Sequence, residues 1–250
     1  MKAIDLEARH GLAVRSWYHP AIVFALRAII GILFFLPFFW LVSTSLKTDS
    51  QLFKVPVQWI PNPIQWSNYP AAIQYIDFWL YLRNTLIIAV PVTLGTSLSS
   101  AIVAYGFSRI QWPGRDIVFL IVISTMMLPF QVTMIPLFII FKNLNWLDSF
   151  RPLIIPAFFG NPFYIFLMRQ FFRTIPTELS EAARIDGCSE LRIFTQIILP
   201  LAKPVIATTA LLTFINAWNE FLMPLIYLNR NELFPLALGL QQFQRQFGAE

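Results

Sequence analysis

Five long apolar runs govern what this chain can become. They cover residues 21–46, 84–107, 117–141, 152–172 and 204–228, and charge is nearly absent from them: Arg27 interrupts the first, Arg169 falls near the end of the fourth, and Glu220 lies in the last. Each is long enough for the ~20 residues that cross a hydrocarbon core. A soluble domain carries about 25% charged residues, whereas this chain has 12% against 57% hydrophobic, with a mean hydropathy of +0.62. The deficit is concentrated in the runs. The expected fold is therefore all-α, a polytopic membrane helical bundle of five visible spans that forms a single domain over residues 1–250.

The stretch before residue 20 is polar and mixed in charge. The run after it exceeds a signal-peptide core and has no evident small-residue cleavage site, so it reads as a retained span. Cys188 is the single cysteine, which excludes an internal disulfide and argues against a cysteine-based metal site. The two histidines, His10 and His19, precede the first span. No cofactor or metal is expected. The net charge of +5 does not point to nucleic acid, because the basic residues flank membrane spans, where they set topology.

Orientation follows from those residues. Segments 1–20, 108–116 and 169–203 hold ten Lys and Arg, and segments 47–79, 142–151 and 229–250 hold six. The first set is also shorter, so it is expected to be cytoplasmic, with the N-terminus inside. The outer loop 47–79, rich in Pro, Trp and Asn, reads as an irregular connection along the interface. Pro37, Pro91, Pro129, Pro136, Pro156, Pro162 and Pro224 fall inside apparent spans, where each removes a backbone hydrogen bond and tends to kink a helix. Proline is also simply commoner in membrane helices. Gln131, bracketed by Pro129 and Pro136, puts a polar group beside an expected kink and is a candidate for lining a cavity.

One segment between the fourth and fifth runs does not read as lipid-facing. It runs Glu181-Ala182-Ala183-Arg184-Ile185-Asp186-Gly187-Cys188, then eight residues, then Ile197-Ile-Leu-Pro200. Pro176 suits a first helical turn, Thr177 to Asp186 favour helix, Gly187 suits a left-handed helix end, and Ser189 can cap a second helix. Ile193, Phe194, Ile197 and Ile198 recur at helical spacing, and Pro200 should end that helix. The expectation is helix, sharp turn, helix within loop 173–203. An ordinary amphipathic surface helix with a glycine cap would share this pattern.

The spacing resembles the EAA loop of permease subunits of bacterial ATP-binding-cassette importers. The resemblance implies that Glu181, Ala182, Ala183, Asp186 and Gly187 form the coupling helix and its turn, docked on an ATPase. Cys188 stands where the family often has alanine. The family usually assembles two permeases, an ATPase dimer and an extracytoplasmic binding protein, so those partners are expected alongside membrane lipid, the second permease as a heterodimer. The chain has no Gly-x-x-x-x-Gly-Lys-Ser/Thr loop of its own, so ATP and Mg would be bound by the partner.

The fifth run contains Asn216, Trp218, Asn219 and Glu220. An ionisable group within a span usually faces the bundle interior, and Asn216 and Glu220, four apart, share a helical face. A ring beside amide and carboxylate groups suits a sugar; alternatively Glu220 ties helices together. This string, with Arg83-Asn84-Thr85 and residues 167–179, resembles the carbohydrate-uptake, maltose-type branch, over roughly residues 21–240. That branch usually has a sixth span, so truncation before it is expected here. The implied function is import of a sugar or related polar solute across a bacterial or archaeal inner membrane. An ion-gradient-driven transporter is the alternative, though it should bury more acids. A membrane enzyme is disfavoured, since no catalytic constellation is visible, and a non-transport scaffold would leave the kinked spans unexplained.

Overall fold

The computed structural model describes residues 20–247. The polar stretch before the first run, with His10 and His19, lies outside the described residues. All described elements are helical. In chain order they are α1 (Pro20–Ser45), α2 (Asp49–Leu52), α3 (Asn68–Tyr75), α4 (Phe78–Ser108), α5 (Arg115–Ser124), α6 (Phe130–Asn143), α7 (Arg151–Ile154), α8 (Pro162–Thr174), α9 (Glu178–Ile185), α10 (Glu190–Leu201), α11 (Lys203–Asn219), α12 (Leu222–Tyr227) and α13 (Leu236–Phe247). Packing divides the chain between Ala72 and Ile73 into two compact units.

In the first unit, α1 is apolar all round and buries none of its hydrophobic window, the condition of a helix whose surroundings are hydrocarbon. The loop after it is ordered by its own polar groups. Asn68 donates to the carbonyls of Ser45 and Lys47 at 2.9 Å, Gln51 donates to the carbonyl of Asn62, and the Lys47 ammonium sits 3.9 Å from the centre of the Trp40 ring.

In the second unit, α4 is the central rod. Ala101, Ala104, Tyr105 and Phe107 on α4 pack with Ile165, Met168 and Phe172 on α8 and with Ile193, Phe194 and Ile198 on α10. Elsewhere α4 buries Asn84, Thr85, Thr96, Ser97 and Ser100, and Gly95 lets the Phe158 ring approach so closely that a Cβ there would lie 2.8 Å from it. Without a hydrophobic drive between helices in lipid, such small and polar residues let backbones approach closely. Asn84 donates to the carbonyls of Glu232 and Phe234, and the Thr85 hydroxyl accepts from the Leu236 amide, so these two side chains moor the start of α13.

Three runs expected as continuous spans are broken. The third divides into α5 and α6, with Thr125–Met127 as a 3₁₀ turn between them, and the two halves meet at 97°. Pro129 offers no N–H and forces Leu128 into extended backbone (ψ 116°), so the helix must stop. The fourth divides at Gly160, whose φ of +85° no helix accommodates, and α8 restarts with Asn161 as N-cap and Pro162 at its first position. The fifth stops at Glu220, which is extended (ψ 122°), before the short α12. Pro37, Pro91 and Pro136 instead lie inside continuous helices. The segment after residue 228, expected as an outer connection, carries α13.

Candidate functional site

Two regions carry the residues singled out in the sequence, and α4 contributes to both. At its C-terminal end stands the helix–turn–helix of residues 178–201. Gly187 has φ +79°, its amide donates to the Arg184 carbonyl at 3.0 Å, and the Cys188 amide donates to Ala183 at 2.9 Å. This paired pattern closes a helix whose last carbonyls would otherwise be orphaned. Pro176 falls before the N-cap Thr177, outside α9, and Ser189 occupies the N-cap of α10 without a side-chain capping bond.

Pro200 does not end α10 where it was expected to. The helix widens to a π turn over Phe194–Ile198, in which the Leu199 amide reaches back to the Phe194 carbonyl. The wider spacing accommodates a residue with no donor, and the chain turns only after Leu201, by 78° into α11.

Glu190 ties the second helix both to α9 and to α4. Glu190 accepts from Arg184 Nε on one oxygen and from the Tyr105 hydroxyl on the other, both at 2.6 Å. The Arg184 guanidinium first, and the Tyr105 hydroxyl after it, hold the Glu190 carboxyl below the usual range against the opposing effect of burial. Arg109, just past the end of α4, donates to the Phe172 and Ile175 carbonyls at 2.5 Å and to Pro176 at 3.4 Å. It thereby adds donors at the C-terminus of α8, where the Phe172 carbonyl also accepts from the Ile175 amide at 3.3 Å. Sequence reasoning assigned Arg109 to topology alone; its fork geometry was not readable.

The two alanines of the loop have different environments. Ala183 is buried in the core cluster beside Ser180, while Glu181, Ala182, Asp186 and Gly187 are exposed. Two large apolar side chains not singled out from the sequence protrude with them, Ile185 (87% exposed) and Leu191 (71%).

Toward the other end of α4, a cavity of about 440 Å³ opens between α4, α6, α7, α8, α11 and α12, within the range of small-ligand sites. Asn216 and Glu220 both line it. Glu220 is not on the helical face expected for it: it lies just past α11, and one oxygen accepts the Met223 amide at 3.1 Å, capping α12. Asn216 donates to the Tyr164 hydroxyl at 3.4 Å. Trp218, Asn219 and Gln131 do not line the cavity. Trp218 packs on Phe214 with ring centres 5.6 Å apart, and Asn219 donates to the Ile215 carbonyl of its own helix.

Tyr164, Thr213 and Tyr227 do line it and were not singled out. The Thr213 and Tyr227 hydroxyls are buried with no hydrogen-bond partner among the described residues, an arrangement that asks for a ligand or water. Their signal in the sequence was weak, since hydroxyls within membrane helices usually bond to their own backbone.

Comparison with known proteins gives a consistent picture. Residues 95–249 match the family described as the binding-protein-dependent transport system inner membrane component. The chain is 33% identical to the arabinooligosaccharides transport system permease protein of Bacillus subtilis, over 88% of this chain and 79% of that one. It is 33% identical to the sulfoquinovosyl glycerol permease of Agrobacterium fabrum, over 84% and 74%. With the sn-glycerol-3-phosphate permease of Yersinia enterocolitica it shares 35%, over 88% and 81%. A crystal structure of a bacterial ABC transporter involved in the import of the acidic polysaccharide alginate superposes with a TM-score of 0.82 at 29% identity, covering 94% of this chain and 85% of that one. The chain therefore belongs to the inner-membrane permeases of binding-protein-dependent ABC importers, a multi-pass transport subunit rather than an enzyme, with hydrolysis left to its partner ATPase.

Proposed function

We propose that this permease carries a neutral sugar or polyol, delivered by an extracytoplasmic binding protein, and that it works beside a second, different permease chain. The observation that carries the solute class is the lining of the cavity. It offers hydroxyls from Thr213, Tyr164 and Tyr227, an amide from Asn216 and one carboxylate from Glu220, and no Lys, Arg or His is among its lining residues. Hydroxyls, amides and aromatic edges suit polyhydroxylated solutes, whereas a lone carboxylate repels an anion. The relatives' names include a neutral saccharide and two anionic solutes, and the lone carboxylate of the lining favours the neutral class.

In this reading Asn216, Tyr164 and Glu220 contact the solute or its path, with Glu220 also fixing the break between α11 and α12. Glu181, Ala182, Asp186, Ile185 and Leu191 meet the ATPase, Gly187 sets the turn between the two loop helices, and Ala183 supports the loop from beneath. ATP and Mg are held by the partner, and this chain has no cofactor of its own. Loop and N-terminus face the cytoplasm, in keeping with the distribution of Lys and Arg. Closure of the ATPase dimer then shifts the docked loop and biases the cavity between its two accesses.

The test is the purified complex with its binding protein in proteoliposomes. Neutral saccharides or polyols are expected to stimulate ATPase activity and uptake, and Asn216→Ala to reduce uptake with little change in basal hydrolysis. Stimulation by phosphorylated or sulfonated solutes alone would reject the solute class.

A further inference from the structure

Beside the loop end of α4 lies a second, polar cavity of about 410 Å³ that shares no lining residue with the first. It is lined by Phe107 and Ser108 from α4, Gln111 from the connection, Arg115, Asp116 and Phe119 from α5, and Arg169 and Arg173 from α8. Three guanidinium groups thus face one carboxylate. Arg169 is buried and fixed: its Nε donates to the Phe107 carbonyl at 3.1 Å, its Nη2 to Asp116 Oδ1 at 3.2 Å, and its guanidinium lies 3.9 Å from the centre of the Phe119 ring. Arg115 shares the same Asp116 oxygen at 3.3 Å. Arg173 is exposed and makes no hydrogen bond or ion pair among the described residues. One carboxylate cannot neutralise three guanidinium groups, so the lining retains an excess of two positive charges.

What borders this cluster is apolar. Ile117, Leu120 and Ile121 on α5 are 68%, 67% and 59% exposed, and Phe166 on α8 is exposed as well. A cationic cavity at the head of an exposed hydrocarbon-like surface matches a molecule with an anionic head and apolar tails. It also stands at the end of α4 that carries the coupling loop, the face assigned to the cytoplasm by its excess of Lys and Arg, where the leaflet is anionic. We propose that Arg115, Arg169 and Arg173 bind the phosphate of an anionic phospholipid headgroup, with acyl chains against α5 and α8. Arg169 is the preset floor of the site, and Arg115 and Arg173 close on the phosphate from its rim, a task to which planar, forked guanidinium groups are suited.

The test uses the intact complex, delipidated in detergent and then offered phosphatidylglycerol or phosphatidylcholine, with retained lipid counted by native mass spectrometry. Wild type is expected to retain phosphatidylglycerol preferentially. Arg173→Gln and Arg115→Gln are each expected to weaken that preference about fivefold, from the known worth of a basic residue at an anionic surface, and Arg173→Lys to keep most of it. Inorganic phosphate at matched concentration should compete poorly, because it lacks the tails. Equal retention of both lipids, or an unchanged preference in the Arg173→Gln variant, overturns the proposal. Full competition by phosphate makes the site one for a free anion and overturns the lipid assignment. Loss of the ATPase subunit from Arg173→Gln complexes with lipid retention intact makes the cluster a protein-docking face and likewise overturns it. Arg173 makes no hydrogen bond or ion pair among the described residues, so its substitution leaves the folded chain available for the measurement even if the Arg115 variant does not assemble.

Discussion

Replacing Gly187 separates two reasons for having glycine at the turn of the loop. Its φ is +79°, and a Cβ built there meets no atom within 4 Å. Steric contact therefore contributes nothing, and the whole cost of a side chain is that of the left-handed backbone, about 1–2 kcal/mol for an ordinary L-residue. Asparagine tolerates this conformation better than alanine, and a β-branched residue is a genuine outlier there. The turn cannot relax to avoid the cost. On one side Ala183 is packed in the core, and on the other Glu190 is tied to both Arg184 and Tyr105. The expected order of loss is Gly187→Asn, then Gly187→Ala at about 1 kcal/mol, then Gly187→Val at about 2 kcal/mol. Since 1.4 kcal/mol is a factor of ten, the alanine variant should show roughly fivefold and the valine variant roughly thirtyfold faster local opening of the turn. Amide exchange of residues 186–190, read by mass spectrometry on the purified complex, measures this directly, with binding of the ATPase subunit followed in parallel. Asparagine is larger than alanine, so volume and backbone conformation make opposite forecasts. If Gly187→Asn is worse than Gly187→Ala, the position is governed by contact with a partner and the conformational reasoning is wrong.

At Gly239 side-chain volume should govern instead, because a Cβ there lies 2.3 Å from the Tyr81 ring; Gly239→Ala should lower the thermal midpoint of the complex by an overpacking cost of about 1–3 kcal/mol, and Tyr81→Leu should relieve part of it in a double-mutant cycle. Arg109→Lys keeps the charge and loses the fork that covers three carbonyls, so amide exchange near residues 172–176 should rise, and Arg109→Ala should cost more, about 1–3 kcal/mol for stranded buried carbonyls; equal behaviour of the two variants would mean that only charge matters. The carboxyl of Glu190 is depressed in the folded protein, so its contribution is present above the ordinary value of 4.5 and lost as pH falls through the lower folded value. Opening of the 184–190 turn should therefore be flat near neutrality and accelerate only in acid below that range, and Glu190→Gln should open faster at neutral pH and lose the dependence; a midpoint near neutrality would contradict the junction.

The apolar runs announce helices in lipid because hydrocarbon leaves the backbone no other choice, and Gly187 was legible because few residues enter its conformation cheaply. The breaks were not. Pro91 and Pro129 carry the same chemistry, yet the first lies inside a continuous helix and the second follows an extended Leu128 where one ends, so residue type alone does not place the breaks. Ala182 and Ala183 are the same residue one position apart, and helical phase sends one outward and the other into the core, a distinction visible only once α9 has something to pack against. Of the residues expected around the solute, Asn216 and Glu220 reached the cavity. Trp218 and Asn219, still within α11, do not line it: Trp218 packs on Phe214 and Asn219 bonds back to the Ile215 carbonyl.

The continuity of α4 sets the molecule's mechanical gearing. At 31 residues it is about 46 Å long, with the mooring of residues 232–236 near one end, Tyr105 and Arg109 at the other, and the first cavity's wall between. A stiff beam of that length pivoting by about 5° around its middle swings its ends about 2 Å in opposite directions, the scale of helix displacement on which packed interfaces switch. In the proposed reading, a push on the loop reaches the mooring of residues 232–236 as an opposed displacement, while the cavity wall from Thr85 to Thr96, close to the pivot, tilts and moves less.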